Sequence, residues 1–382
     1  MRERAVPPQK VRSSNIELMR IVLMVVIIMH HYVVNTGIMD GVNMRNLTAN
    51  AVFLQYWGMW GKMAINAYVM VSGYFLCTSR LTWQKYVKLL LEILFYSFVI
   101  YALMVCLGYA TLSVKEIGKT AFGLLHGAGA GFAASFMMFY LFVPFLNQLI
   151  SSTKMGGMER LLVLLFFVNT VTVTFFLSNA FNEISWYMNI YFVGAYLRLY
   201  AGAWSRRLSF AVKWLAIFVG LSFLSVAAFD VVGVLFHRDA GWWGSYYFVN
   251  DSSKILAFFV SVCVFLVFKN LPLGHSHAVN VVARTTFGVL LIHAHSDAER
   301  MFLWHDLAHV PEMIQAPFGE LVLHAAGWAI LVFVVCSMID YLRLRYLEPS
   351  VMNWLYRHSE WIEARTVRLV QRSREFLRRM AA

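Results

Sequence analysis

Between Asn15 and Asn35 the chain reads NIELMRIVLMVVIIMHHYVVN, an almost wholly apolar run about long enough to cross a bilayer as one helix. It nonetheless carries Glu17, Arg20, His30 and His31, and ionisable groups inside a spanning helix are costly enough to point to function. At about 100° per residue, Arg20 and His31 fall within roughly 20° of each other around the helix. Glu17, Met24, Ile27 and Asn35 share that stripe, whereas His30 points about 80° away from Arg20. The helical rise sets His31 roughly 16 Å deeper than Arg20. One helix thus offers a cation at its mouth and a titratable base inside. Each residue alone has a plain structural role open to it: an arginine snorkelling to the headgroups, or a histidine hydrogen-bonded within a bundle. The shared face favours a joint site.

The same apolar character recurs along the whole chain. Of 382 residues, 60% are hydrophobic and 14% charged, where a soluble domain would carry nearer a quarter charged. The expected fold is all-α: a polytopic transmembrane bundle of ten spanning helices near 16–36, 52–77, 86–109, 130–150, 160–177, 185–200, 211–236, 253–269, 279–295 and 320–340. Residues 1–340 form the transmembrane domain in this reading, and 341–382 a basic cytoplasmic tail. The N-terminal MRERAVPPQKVRSSN is polar and basic, without the short apolar core of a cleavable signal. Cys77, Cys106, Cys263 and Cys336 lie in or beside apolar runs with no paired spacing, so neither a disulfide framework nor a cysteine metal site is expected.

Loop charge sets the expected orientation. Arg2, Arg4, Lys10, Arg12, Arg80, Lys85, Lys88, Lys154, Arg160, Arg198, Arg206, Arg207, Lys213, Lys269 and the Arg-rich tail fall on one side. The basic residues of the other side are diluted by Asp40, Glu116, Glu183, Asp239, Asp251, Asp297 and Glu299. The positive-inside rule places both termini in the cytoplasm, with Arg20 at the cytoplasmic mouth and His31 in the outer half. The net charge of +12 reads as membrane orientation and gives no nucleic-acid patch.

Other candidate chemistry is weaker. Trp242–Phe248, WWGSYYF, could stack a sugar ring or form an interfacial aromatic belt. His305, Asp306 and His309 follow His293, His295 and Asp297, but no chelate spacing fixes them and no metal site is expected. Lys88 and Glu92 sit one turn apart in the third apolar run and are candidates for an ion pair. In the tail, Leu355, Ile362, Leu369 and Phe376 recur every seven residues, suiting a basic amphipathic helix on the inner leaflet, with a coiled-coil contact as the alternative. There is no phosphate-cradling glycine loop, no serine nucleophile elbow and no HExxH.

Five stretches, in order, resemble the acyltransferase 3 family of polytopic membrane enzymes. NIELMRIVLMVVIIMHHY carries the family's basic residue followed after ten residues by histidine, here Arg20 and His31. INAYVMVSGYFL (Ile65–Leu76) is similar to its stretch ending in Ser-Gly-Tyr, here Ser72, Gly73 and Tyr74. FMMFYLFVPFLN (Phe136–Asn147), YFVGAYLRLY (Tyr191–Tyr200, with Arg198) and TTFGVLLIHAH (Thr285–His295, with His293) resemble three further family segments. The chain departs from the pattern in having Lys85 and Lys88 where the family often has paired arginines, and Leu290 where tyrosine is common.

The resemblance implies transfer of an acyl group, acetyl by expectation, from acyl-coenzyme A as co-substrate to a hydroxyl of a surface or lipid-linked carbohydrate, with no bound cofactor. It implies His31 and Arg20 as catalytic residues, with Ser72, Tyr74, Arg198 and His293 as substrate contacts. Glu17, three residues before Arg20, is placed to hold it and joins the catalytic set, and Lys85 and Lys88, standing where the family has arginines, are further substrate contacts. A neutral imidazole can take a proton from a hydroxyl at physiological pH, and a guanidinium fork suits phosphates. The rival reading is a transporter or flippase of a glycan or lipid intermediate, with His31 and Arg20 as a proton relay. It would show internal repeats and broken helices at matching positions, and the sequence displays neither.

Overall fold

A computed structural model describes residues 12–40, 42, 45, 47–79, 81–123, 131–176, 182–236 and 242–358. Among these residues the regular structure is all helical: α1 (Ser14–Val34), α2 (Ala49–Gly58), α3 (Gly61–Leu76), α4 (Trp83–Cys106), α5 (Val114–Phe122), α6 (Phe132–Ser152), α7 (Met155–Phe166), α8 (Thr172–Phe175), α9 (Glu183–Leu199), α10 (Leu208–Leu235), α11 (Ile255–Asn270), α12 (His277–His293), α13 (Asp297–Arg300) and α14 (Phe318–Leu342). Each of the ten expected apolar segments falls on helix. Six of the described helices are long and apolar enough to cross a membrane.

Local chemistry marks several starts. The side chains of Thr48, Ser113, Asn182, Ser276 and Ser296 each accept a backbone N–H from the first turn of α2, α5, α9, α12 and α13, the usual means of satisfying donors that a helix start leaves open. A π turn at Phe167–Val171 joins α7 to α8. Another at Arg343–Leu347 carries α14 onward, and the helix runs to His358.

The second expected span, 52–77, is instead two helices that break at Met59 and Trp60. The reason lies on α1. A β-carbon on Gly58 would stand 2.8 Å from Val33 Cβ, and one on Gly61 would stand 2.2 Å from His30 Cγ. Two glycines let α1 press into the break, and the His30 ring hydrogen-bonds the Gly58 carbonyl at 2.5 Å, occupying an acceptor that the interrupted helix leaves open.

α1 is the central element, touching α2, α3, α11, α12 and α14, and Met19, Leu23, Met24, Ile27 and Ile28 bury along it. α3 crosses α9 at two glycines, Gly73 and Gly194, each so close to the other backbone that a β-carbon would collide with a carbonyl oxygen. Small residues are what allow helices to approach this way in a bilayer. Outward-facing side chains such as Leu224, Leu235, Leu323 and Met338 are apolar and exposed, a surface that lipid satisfies and water does not.

Hydrogen bonds gather the basic ends of the helices together. Ser14 and Asn15, opening α1, reach Asn280 on α12 and the Lys269 carbonyl on α11. Asn270 donates to the Ser205 carbonyl, and Tyr200, closing α9, donates to the carbonyl of Thr153 after α6.

Candidate active site

α1 delivers its polar stripe to two cavities. At its first turns Glu17 accepts from Arg12 Nη1 at 3.2 Å and from Arg20 Nη1 at 2.8 Å. Arg20 Nη2 donates to the hydroxyl of Tyr68 on α3 at 3.1 Å, with the guanidinium 5.4 Å from the Tyr68 ring centre. The Tyr68 hydroxyl also lies 2.5 Å from Thr286 Oγ1. Thr286 gives its only proton to the Ala283 carbonyl, so Tyr68 donates to Thr286 and accepts from Arg20. This chain fixes the guanidinium on one wall of a cavity of about 500 Å³ lined by Arg12, Arg20, Lys85, Lys88 and Arg284 among its residues, with Glu17 and Glu92. Five cations facing two carboxylates make it a receptacle for an anion.

His31 opens on the second cavity, of about 740 Å³, with Met24, Ile27, Ile65, Tyr68, Lys119, His295, Asp297 and Arg300 also on its walls. Tyr68 and Phe132 line both cavities. The two chambers therefore lie on either side of Tyr68 and Phe132, with the anion receptacle at the Arg20 end and the imidazole beyond. Near the far end Glu299 is buried, and burial pushes its carboxyl up to about 8.

Of the stripe expected on α1, Glu17 and Arg20 line the first cavity and Met24, Ile27 and His31 the second, while Asn35 lines neither. His31 faces the cavity, and His30, one residue earlier, is turned into the protein against Gly58. Ser72, Lys85 and Lys88 join Arg20 around the first cavity. Tyr74 and Arg198 do not: they pair with each other, Arg198 Nη1 to Tyr74 hydroxyl at 3.3 Å, and line neither cavity. Two residues along a helix turn the side chain by roughly 200°, so Ser72 and Tyr74 cannot serve one face. His293 lines neither cavity; it is wholly buried, with Nε2 3.0 Å from His31 Nδ1 and Nδ1 2.6 Å from the Val289 carbonyl.

A further expectation is redrawn. Lys88 does not pair with Glu92: its ammonium meets Glu348 at 2.7 Å, while Glu92 takes Arg343 at 2.7 Å. Arg343 in turn holds Asp340, whose carboxylate accepts from Tyr96. Glu348 belongs to the tail segment read as a basic amphipathic helix on the inner leaflet, and its carboxylate is largely buried among Lys88, Arg284 and Arg343. Of the tail's seam, Leu355 is buried and Ile362, Leu369 and Phe376 lie outside the described residues. In the aromatic segment, Tyr246 and Tyr247 donate their hydroxyls to the Gln55 and Thr174 carbonyls and line neither cavity; the side chains of Trp242 and Trp243 lie outside the description. No group of three metal-ligating side chains occurs among the described residues, and Asp306 accepts instead from Tyr109 at 2.5 Å.

Sequence reasoning passed over Tyr68, Arg12, Arg284 and Arg300 as site residues. A signal existed for the first: Tyr68 precedes Ser72 by one helical turn, on the same face.

A family model described as an acyltransferase domain matches residues 13–347. The chain belongs to the acyltransferase 3 family. Searches of curated proteins and of solved structures return no match. Membership in acyltransferase 3 makes this a membrane acyltransferase, and the match takes in every residue lining the two cavities except Arg12, ending one residue before Glu348.

Proposed function

We propose that the protein moves an acetyl group from acetyl-coenzyme A to a hydroxyl of a surface or lipid-linked carbohydrate, with His31 as general base and Arg20 as the donor contact. The observation that carries this reading is that the basic cavity and the His31 cavity share Tyr68 and Phe132 as lining. A donor with a phosphate-bearing head and a flexible arm ending in a thioester suits a basic receptacle next to a chamber with an imidazole. Arg20, held by Glu17, offers a preset fork to the phosphates, and Lys85, Lys88, Arg12 and Arg284 add charge around it.

In the second chamber His31 takes the proton of the acceptor hydroxyl as its oxygen attacks the thioester carbonyl. The tetrahedral intermediate collapses, the carbon–sulfur bond breaks, and the imidazolium returns its proton to the departing thiolate. Atoms and charge balance without a bound cofactor.

In this reading all ten helical segments span the cell membrane, the α14 extension lies on the cytoplasmic side, and both termini are cytoplasmic. Support comes from the gathering of Arg12, Lys85, Lys88, Lys154, Arg198 and Lys269 at or near helix ends that hydrogen bonds draw to one end of the bundle. Donor would enter from the cytoplasm and acceptor from the opposite face. Mass spectrometry of surface glycans from cells with and without the gene tests the proposal. The expected result is an acetyl increment lost with the gene; unchanged glycans would remove the carbohydrate acceptor.

A further inference from the structure

The geometry behind His31 assigns a role to His293. A carbonyl oxygen can only accept, and the Val289 carbonyl lies 2.6 Å from His293 Nδ1; that nitrogen therefore carries the proton. A neutral imidazole has one N–H, which leaves His293 Nε2 as a lone-pair acceptor. Its neighbour at 3.0 Å is His31 Nδ1, so the proton between the rings sits on His31. The nitrogen of His31 left for substrate is Nε2, bearing a lone pair, and His31 lines the larger cavity.

The alternative is a His293 cation with both nitrogens protonated, which would force His31 to accept through Nδ1 and carry its own proton on Nε2. The surroundings oppose it. His293 is wholly buried, among the described residues neither ring hydrogen-bonds a carboxylate, and the groups facing the pair are His30, Lys62 and Arg300. A buried cation beside two other cations lacks the counter-charge it needs.

We propose that His293 is the positioning residue of the site: its Nε2 holds His31 in the tautomer whose Nε2 is the base. The Val289 carbonyl, one helical turn before His293, sets the whole relay. When His31 takes the hydroxyl proton on Nε2, the Nδ1–H···Nε2 bond becomes charge-assisted and strengthens in step with the reaction. The proton on Nδ1 never transfers. This role rests on the acyl-transfer reading above.

The test uses the full chain in nanodiscs, with labelled acetyl-coenzyme A as donor and surface glycan from cells lacking the gene as acceptor. His293→Gln keeps an acceptor oxygen where Nε2 stands; His293→Phe keeps a ring and removes the acceptor. The Gln variant is expected to hold kcat within about tenfold of wild type, and the Phe variant to lose about 100-fold or more, both with donor KM unchanged. Independently of turnover, nitrogen NMR of histidine-labelled wild type minus His31→Gln is expected to give a neutral ring protonated on Nδ1. This reading needs no folded His293 variant. Equal turnover of the Gln and Phe variants, a loss confined to donor KM, or a His31 ring protonated on Nε2 would overturn the assignment. A wild-type protein with no turnover would instead bring down the acyl-transfer reading itself.

Discussion

Lys88, on the wall of the basic cavity, and Glu348, 260 residues away in sequence, meet at 2.7 Å. The same carboxylate lies 3.7 Å from Arg284 and 3.5 Å from Arg343. It thus draws on two of the cations that face the cavity, Lys88 and Arg284, and ties the helix beyond the π turn to α4 and α12.

Glu348→Gln should therefore act on donor binding and stability in opposite senses. With the counter-charge gone, Lys88 and Arg284 present more positive potential to an anionic donor, and donor KM should fall severalfold. The protein should lose about 1–2 kcal/mol, because Arg343 surrenders a charged partner in a largely buried setting. Donor saturation and thermal melting in detergent measure the two effects. A KM that rises would mean that Glu348 orients the cations and does not compete for them.

Gly73 and Gly194 are where α3 and α9 can least tolerate change. An added β-carbon would stand 2.3 Å from the Tyr191 carbonyl oxygen at the first and 2.4 Å from that of Met70 at the second. Both obstacles are backbone and cannot rotate away. Either glycine changed to alanine should cost about 1–3 kcal/mol or more and lower the folded yield in membranes, read by melting temperature and abundance. Melting temperatures equal to wild type would show that the crossing is looser than this.

Arg20→Ala should raise donor KM by about 10- to 100-fold, the worth of one or two charged hydrogen bonds. Arg20→Lys should restore only part of it, since an ammonium keeps the charge and loses the fork that binds Glu17 and Tyr68 together. Donor saturation curves decide. Unchanged donor affinity beside altered acceptor affinity would move Arg20 to the other substrate.

What the sequence revealed and what it withheld divides along physical lines. The face shared by Arg20 and His31, and the turning away of His30, follow from helical pitch alone, because α1 is regular over its whole length. The apolar segments follow from their length. The break in the second segment did not follow, because it depends on α1 pressing between Gly58 and Gly61. The sequence offers Glu92 as a candidate partner for Lys88 because spacing along one helix is all it supplies, whereas the pairs Lys88–Glu348 and Glu92–Arg343 cross between helices. Tyr74 and Arg198 entered through resemblance, and resemblance does not say which face of a helix looks into a cavity. His293 entered the same way as a substrate contact; only the packing of α1 on α12 puts it behind the base.

The central claim is that His31 is the base of an acyl transfer. Its most direct test is the rate of labelled acetyl transfer from acetyl-coenzyme A by purified wild type, His31→Ala and His30→Ala, per folded molecule. Wild type should transfer acetyl, and His31→Ala should be folded yet slower by about 100-fold or more. His30→Ala should be less stable, having lost its bond to Gly58, but should turn over close to wild type. An active His31→Ala beside an inactive, folded His30→Ala would contradict the account.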